Sequence, residues 1–66
     1  MNVILNGESR TIHDGATVRD AVGLLVDTDK GVAVSIDREI VPRSQWASRT
    51  LRDGAVVEVL VAAAGG

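Results

Sequence analysis

The last two residues, Gly65 and Gly66, are where this chain could take part in chemistry. They follow a strand-like run, Ala55-Val56-Val57-Glu58-Val59-Leu60-Val61, and a short spacer, Ala62-Ala63-Ala64. Glycine has no Cβ, so a di-glycine end reaches conformations closed to other residues and can thread a narrow enzyme channel. The reactive group would be the main-chain carboxylate of Gly66, unhindered by any side chain. Taken alone, the same tail reads as a frayed terminus. The rest of the chain has to decide.

Little else offers chemistry. His13 is the only histidine. It lies beside the Asp14-Gly15 turn, with no serine or cysteine partner suggested by spacing, and reads as a surface turn residue. Asp27-Thr28-Asp29 resembles the start of a calcium loop, but Arg38 stands where the closing glutamate belongs, so a solvated helix end is the better reading and no metal site is expected. There is no Gly-Lys-Ser/Thr phosphate loop. The carboxylates are scattered over turns and strand faces, and no acid–base pair stands out. Trp46, the only aromatic, reads as a large plug at the edge of a small core. These observations favour a binding or carrier role over catalysis, with no catalytic residues of its own.

Composition narrows the field further. With 66 residues the chain is one domain at most. A domain this short buries only about 60% of its unfolded surface, so stability is marginal. Without cysteine it has neither disulfide staple nor thiolate metal site. The formal charge of −2, with mixed signs along the chain, argues against a nucleic-acid partner. No apolar stretch approaches the roughly 20 residues of a membrane span, and no signal peptide is visible. A soluble, cytoplasmic domain is the expectation.

The elements that must hold the tail can be read from periodicity. Val3-Ile4-Leu5 is a strand, Asn6-Gly7 a type I′ hairpin turn, and Glu8 to Ile12 the return strand. Thr17 is a helix N-cap with Asp20 three residues on, as in a capping box. Val18, Ala21, Val22 and Leu25 then form one apolar stripe, and the pattern predicts a helix running to about Asp27–Asp29. Gly23 within it suggests a close helix–sheet contact. Val32, Val34 and Ile36 alternate with Ala33, Ser35 and Asp37 as a half-buried strand. Asp37-Arg38 is a turn, Glu39 to Val41 a short strand stopped by Pro42, and Ser44 to Ala47 a single helical turn. After the Asp53-Gly54 turn, Val56 to Val61 closes the domain. The order is β-β-α-β-β-β. The first and last strands, the most apolar, should lie at the centre and pair in parallel. This is an α+β fold with one helix packed on a mixed four- to five-stranded sheet. The domain is expected to span residues 1–62, with a flexible Ala-Gly-Gly tail over 63–66.

A β-grasp order ending in Gly-Gly resembles the ubiquitin-like proteins. The segment Ile40-Val41-Pro42-Arg43-Ser44-Gln45-Trp46 resembles, more narrowly, the IVPR-x-QW stretch of the ThiS-type sulfur carriers of bacterial thiamine biosynthesis. Asn6 after the opening strand, the Gly15-Ala16-Thr17-Val18 helix start, the Asp53-Gly54 turn and the Ala64-Gly65-Gly66 end also match. Glu58, in a strand often more apolar in that family, and the alanine-rich Ala62-Ala63-Ala64 depart from it. The resemblance implies a carrier that binds no cofactor itself. A ThiF-type adenylating enzyme would use ATP and magnesium to convert the Gly66 carboxylate to an acyl-adenylate. Sulfur from a donor system such as a cysteine desulfurase would displace AMP, leaving a thiocarboxylate. A thiazole synthase, ThiG, would receive the sulfur. Gly65 and Ala64 would thread the tail into the active site.

Alternation along the last strand points Leu60 and Ala62 away from the core, next to the tail, where an exposed apolar spot reads as a docking site. Glu58 and Arg43 are candidate rim contacts. Other readings of the same chain remain: a carrier serving molybdopterin or another sulfur metabolite, a ubiquitin-like modifier joined to lysine through Gly66, or an interaction module with inert glycines. The Pro42-Arg43 and Trp46 motif favours the thiamine type.

Overall fold

A computed structural model describes residues 1–28 and 30–62. The expected tail at 63–66 and Asp29 lie outside the described residues. In chain order the elements are β1 (Asn2–Leu5), β2 (Glu8–Thr11), α1 (Val18–Gly23), β3 (Val32–Ile36), β4 (Glu39–Ile40), a 3-10 turn (Arg43–Gln45) and β5 (Val56–Val61). The strands form one five-stranded sheet in the order β2-β1-β5-β3-β4. β1 and β5 pair in parallel at its centre, and the other neighbours are antiparallel. This is the β-grasp arrangement expected from the sequence.

Two hairpins frame the sheet, and both turn on left-handed residues. Asn6 and Gly7 have φ of 50° and 82°, the signature of a type I′ turn. Asp37 and Arg38 have φ of 49° and 72°, so the second hairpin turns the same way without a glycine. Such a conformation costs a non-glycine residue about 1–2 kcal/mol. Asp37 offsets part of this by pairing with β5: its N–H donates to Val56 O at 2.8 Å and its Oδ1 accepts from Val56 N at 3.0 Å.

α1 starts where the capping residues place it. Thr17 Oγ1 accepts from the Asp20 N–H at 3.3 Å, and Asp20 Oδ2 accepts from the Thr17 N–H at 2.9 Å. The helix is shorter than the apolar stripe suggests. It ends at Gly23, not at Asp27–Asp29: Leu24 N donates to Ala21 O and Leu25 N to Val22 O in the i→i+3 pattern, and one last i→i+4 bond, Val26 N to Val22 O, closes the turn. Gly23 also lacks the close contact expected of it. It is exposed, and a Cβ added there would meet nothing within 4 Å. Its place is the helix end, where glycine costs less than in the interior.

The core lies between one face of the sheet and α1. Val3, Leu5, Val34, Ile36, Val57 and Val59 point inward from the strands, and Val18, Ala21 and Val22 meet them from the helix. Trp46 belongs to this core rather than to its edge. It is 1% exposed, and its Nε1 donates to Val41 O at 3.0 Å. The Pro42–Trp46 segment thus folds back under the helix side, where Arg19 N donates to Trp46 O. Among the described residues no helix is long and apolar enough to cross a membrane.

Candidate functional site

β5 is the element that leads toward Gly66, and its two faces do different work. Val57 and Val59 are buried, whereas Val56, Glu58 and Leu60 face outward, Leu60 at 68% exposure. Register brings neighbours to this outer face. Leu60 sits opposite Ala33, Glu58 opposite Ser35, and Ser35 in turn opposite Ile40. The result is a shallow, mostly apolar groove of about 320 Å³ lined by Ala33, Ser35, Ile40 and Leu60, with Arg38 and Glu58 on it as charged groups. Ile40 is 76% exposed. Contiguous exposed side chains of this size, rimmed by charge, are the kind of surface that meets a partner.

The sequence-derived site residues fall in three places. Leu60 and Glu58 lie together in the groove. Ala62 is exposed just beyond it, its N–H donating to Gly31 O at 2.7 Å. Arg43 stands exposed on the 3-10 turn and does not line the groove, because Pro42 turns the chain toward the helix side of the sheet. Gly66, Gly65 and Ala64 lie outside the described residues. Ile40, Ala33 and Arg38 are groove residues that sequence reasoning misses. Alternation alone puts Ala33 opposite in face to Val34, but placing Ile40 beside Leu60 requires knowing that β4 and β5 flank the same strand.

The remaining polar groups are structural. His13 is mostly exposed, with Nε2 3.6 Å from Asp20 Oδ2. The Thr17 backbone N–H holds the Asp20 carboxyl below its ordinary value; desolvation opposes it, and the Thr17 hydroxyl and His13 add smaller lowering effects. Arg49 pairs with Glu39 at 3.1 Å and Arg52 lies 3.9 Å from Asp37, both at the surface, where such pairs contribute little. Among the described residues no group of His, Asp and Glu could hold a metal ion.

Comparison with known proteins settles the family. The ThiS family model matches residues 3–66, the whole chain but its first two residues and through to Gly66. The chain belongs to the ThiS family. The sulfur carrier protein ThiS of Escherichia coli K12 is 32% identical to it over 66 residues, covering all of both chains. A crystal structure of the thiamine biosynthesis protein ThiS from Geobacter metallireducens superimposes with a TM-score of 0.81 at 29% identity, again over all of both chains. A solution structure of a thiamine biosynthesis protein from the same organism gives 0.78, covering 88% of that chain. A thiazole synthase from Paramagnetospirillum magneticum is 35% identical over all 66 residues, which make up 20% of its length. As a ThiS protein this chain is a sulfur carrier of thiamine biosynthesis, a small β-grasp domain rather than a catalyst.

Proposed function

We propose that the sulfur is carried as a thiocarboxylate on Gly66. The observation that carries this reading is the reach of the family match, which runs through the di-glycine itself. A carboxylate is a poor acyl donor, because its oxygen is a poor leaving group. A Gly66 oxygen attacks the α-phosphorus of ATP, pyrophosphate leaves, and the carboxyl becomes a mixed anhydride with AMP. A sulfur nucleophile at the oxidation level of hydrosulfide then adds to the acyl carbon and expels AMP. Gly66 leaves that carbon open to attack, and Gly65 lets the backbone straighten toward it.

Three partners follow from this chemistry. A ThiF-type enzyme with magnesium-bound ATP performs the adenylation, and a donor system such as a cysteine desulfurase supplies the sulfur as a persulfide, which a thiol reductant brings to the hydrosulfide level. A thiazole synthase, ThiG, takes the sulfur from the tail. The Paramagnetospirillum protein supports the last of these, since a thiazole synthase there contains a stretch similar to this entire chain. Joining a carrier to its consumer raises the effective concentration of one at the other. The groove formed by Leu60, Ile40 and Ala33 is the docking face, with Glu58 as a rim contact and Ala62 at its tail end. Arg43 contacts a partner from the helix side.

The same match weighs against service to molybdopterin or to protein conjugation. Growth of a carrier-deleted bacterium tests it. This chain restores growth without thiamine, and a chain shortened by Gly65 and Gly66 does not. Rescue of molybdenum-cofactor activity in place of thiamine growth would overturn the assignment.

A further inference from the structure

Resting on the proposed role of Gly66, we infer that Asn6 is a positioning residue for sulfur loading: its carboxamide clamps the Val59 backbone and fixes where the tail leaves the sheet. The observation is a pair of hydrogen bonds across 53 residues of sequence. Val59 N donates to Asn6 Oδ1 at 2.7 Å, and Asn6 Nδ2 donates to Val59 O at 3.1 Å. The reason lies in the hairpin. β1 pairs with β5 through Ile4 and Leu5, and Asn6 N still donates to Val57 O at 2.9 Å. There the type I′ turn carries the backbone away toward β2. Val59, the next residue of β5 facing that side, would find no strand beside it. The Asn6 side chain takes the place of the missing peptide group, offering one acceptor and one donor as a backbone would.

On its other side β5 is held by β3 through Val61, and by the Ala62–Gly31 bond. The clamp therefore completes a two-sided grip three residues before the last described residue. From Val59 to Ala62 the chain spans at most about 11 Å, so a swing of about 10° at Val59 moves the point where the tail leaves the sheet by roughly 2 Å. A misplacement of about 1 Å already costs a reacting group productive geometry.

Asparagine also suits this turn for its backbone alone, since it tolerates positive φ. Asn6→Gly separates the two roles, because glycine accepts the same φ and lacks only the carboxamide. Asn6→Asp keeps an acceptor for Val59 N–H but sets a carboxylate oxygen against Val59 O.

The experiment measures pyrophosphate release from magnesium-bound ATP by the ThiF-type enzyme, with the full chain varied in concentration. Amide hydrogen exchange at Val59 and thermal melting are recorded for each variant. Asn6→Gly is expected to lose protection at Val59 and to lower kcat about tenfold, with KM for the carrier within about twofold, because the docking groove is untouched. Asn6→Asp falls between it and the wild type, and stands in for it should Asn6→Gly fail to fold. A folded variant with lowered melting temperature but unchanged kcat and KM overturns the inference and leaves Asn6 a turn residue. If the wild type itself releases no pyrophosphate, the carrier reading fails and this inference with it.

Discussion

Substitution of Leu60 by threonine separates docking from folding. Leu60 is 68% exposed and lies opposite Ala33 on the outer face of β5, so it contributes little to the core. Fully burying a leucine side chain stabilises by about 1.5–3 kcal/mol, and about two thirds of that remains available to a partner here. Leu60→Thr should therefore weaken docking by about 1–2 kcal/mol, which is roughly a five- to thirtyfold rise in Kd. Threonine is β-branched and keeps the strand propensity of the site, so the melting temperature should stay within about two degrees of the wild type. The assay is calorimetric titration of the adenylating enzyme with each carrier, beside thermal melts of the free chains. Ile40→Thr, on the same groove, should act in the same direction. Affinity unchanged within about twofold would refute the groove as the docking face. Equal losses of affinity and stability would refute the claim that Leu60 is free of the core.

Three further outcomes are expected. Because Asp20 has its carboxyl held below the ordinary 3.8, mainly by the Thr17 N–H, its stabilising effect is fully present above that value and disappears as pH falls through the folded one. The melting-temperature gap between wild type and Asp20→Asn should be open near neutral pH and close on acidification below about pH 4, and a gap independent of pH would contradict the capping-box account. Trp46→Phe leaves the Val41 carbonyl without its donor and should cost about 1–3 kcal/mol in urea unfolding, with loading kinetics unchanged where the variant is folded. Gly65→Val should abolish or sharply slow thiocarboxylate formation while leaving the urea midpoint at the wild-type value.

Much of the fold is legible in the amino-acid order. The Asn-Gly turn, the Thr17–Asp20 cap and the period-2 strands are local signals, and each element they mark is present. The parallel pairing of β1 with β5 follows from their apolar content. What the sequence conceals depends on contacts between distant residues. α1 ends in i→i+3 bonds at Leu24 and Leu25 that an apolar stripe does not encode. Ile40 joins Leu60 only through the register of the intervening β3. Asn6 is legible as a turn residue, but its second role emerges only once β5 is laid beside β1. Trp46 reads as an edge plug because nothing local says that its ring reaches under the helix.

Intact-mass analysis of the full chain tests the central claim most directly. The chain is incubated with ATP, magnesium, the ThiF-type enzyme and a sulfur donor. One oxygen of the C-terminal carboxylate should be replaced by sulfur, with fragmentation placing the change on Gly66 and none of it appearing without ATP. An unchanged mass while the enzyme loads the Escherichia coli carrier under the same conditions would contradict the account.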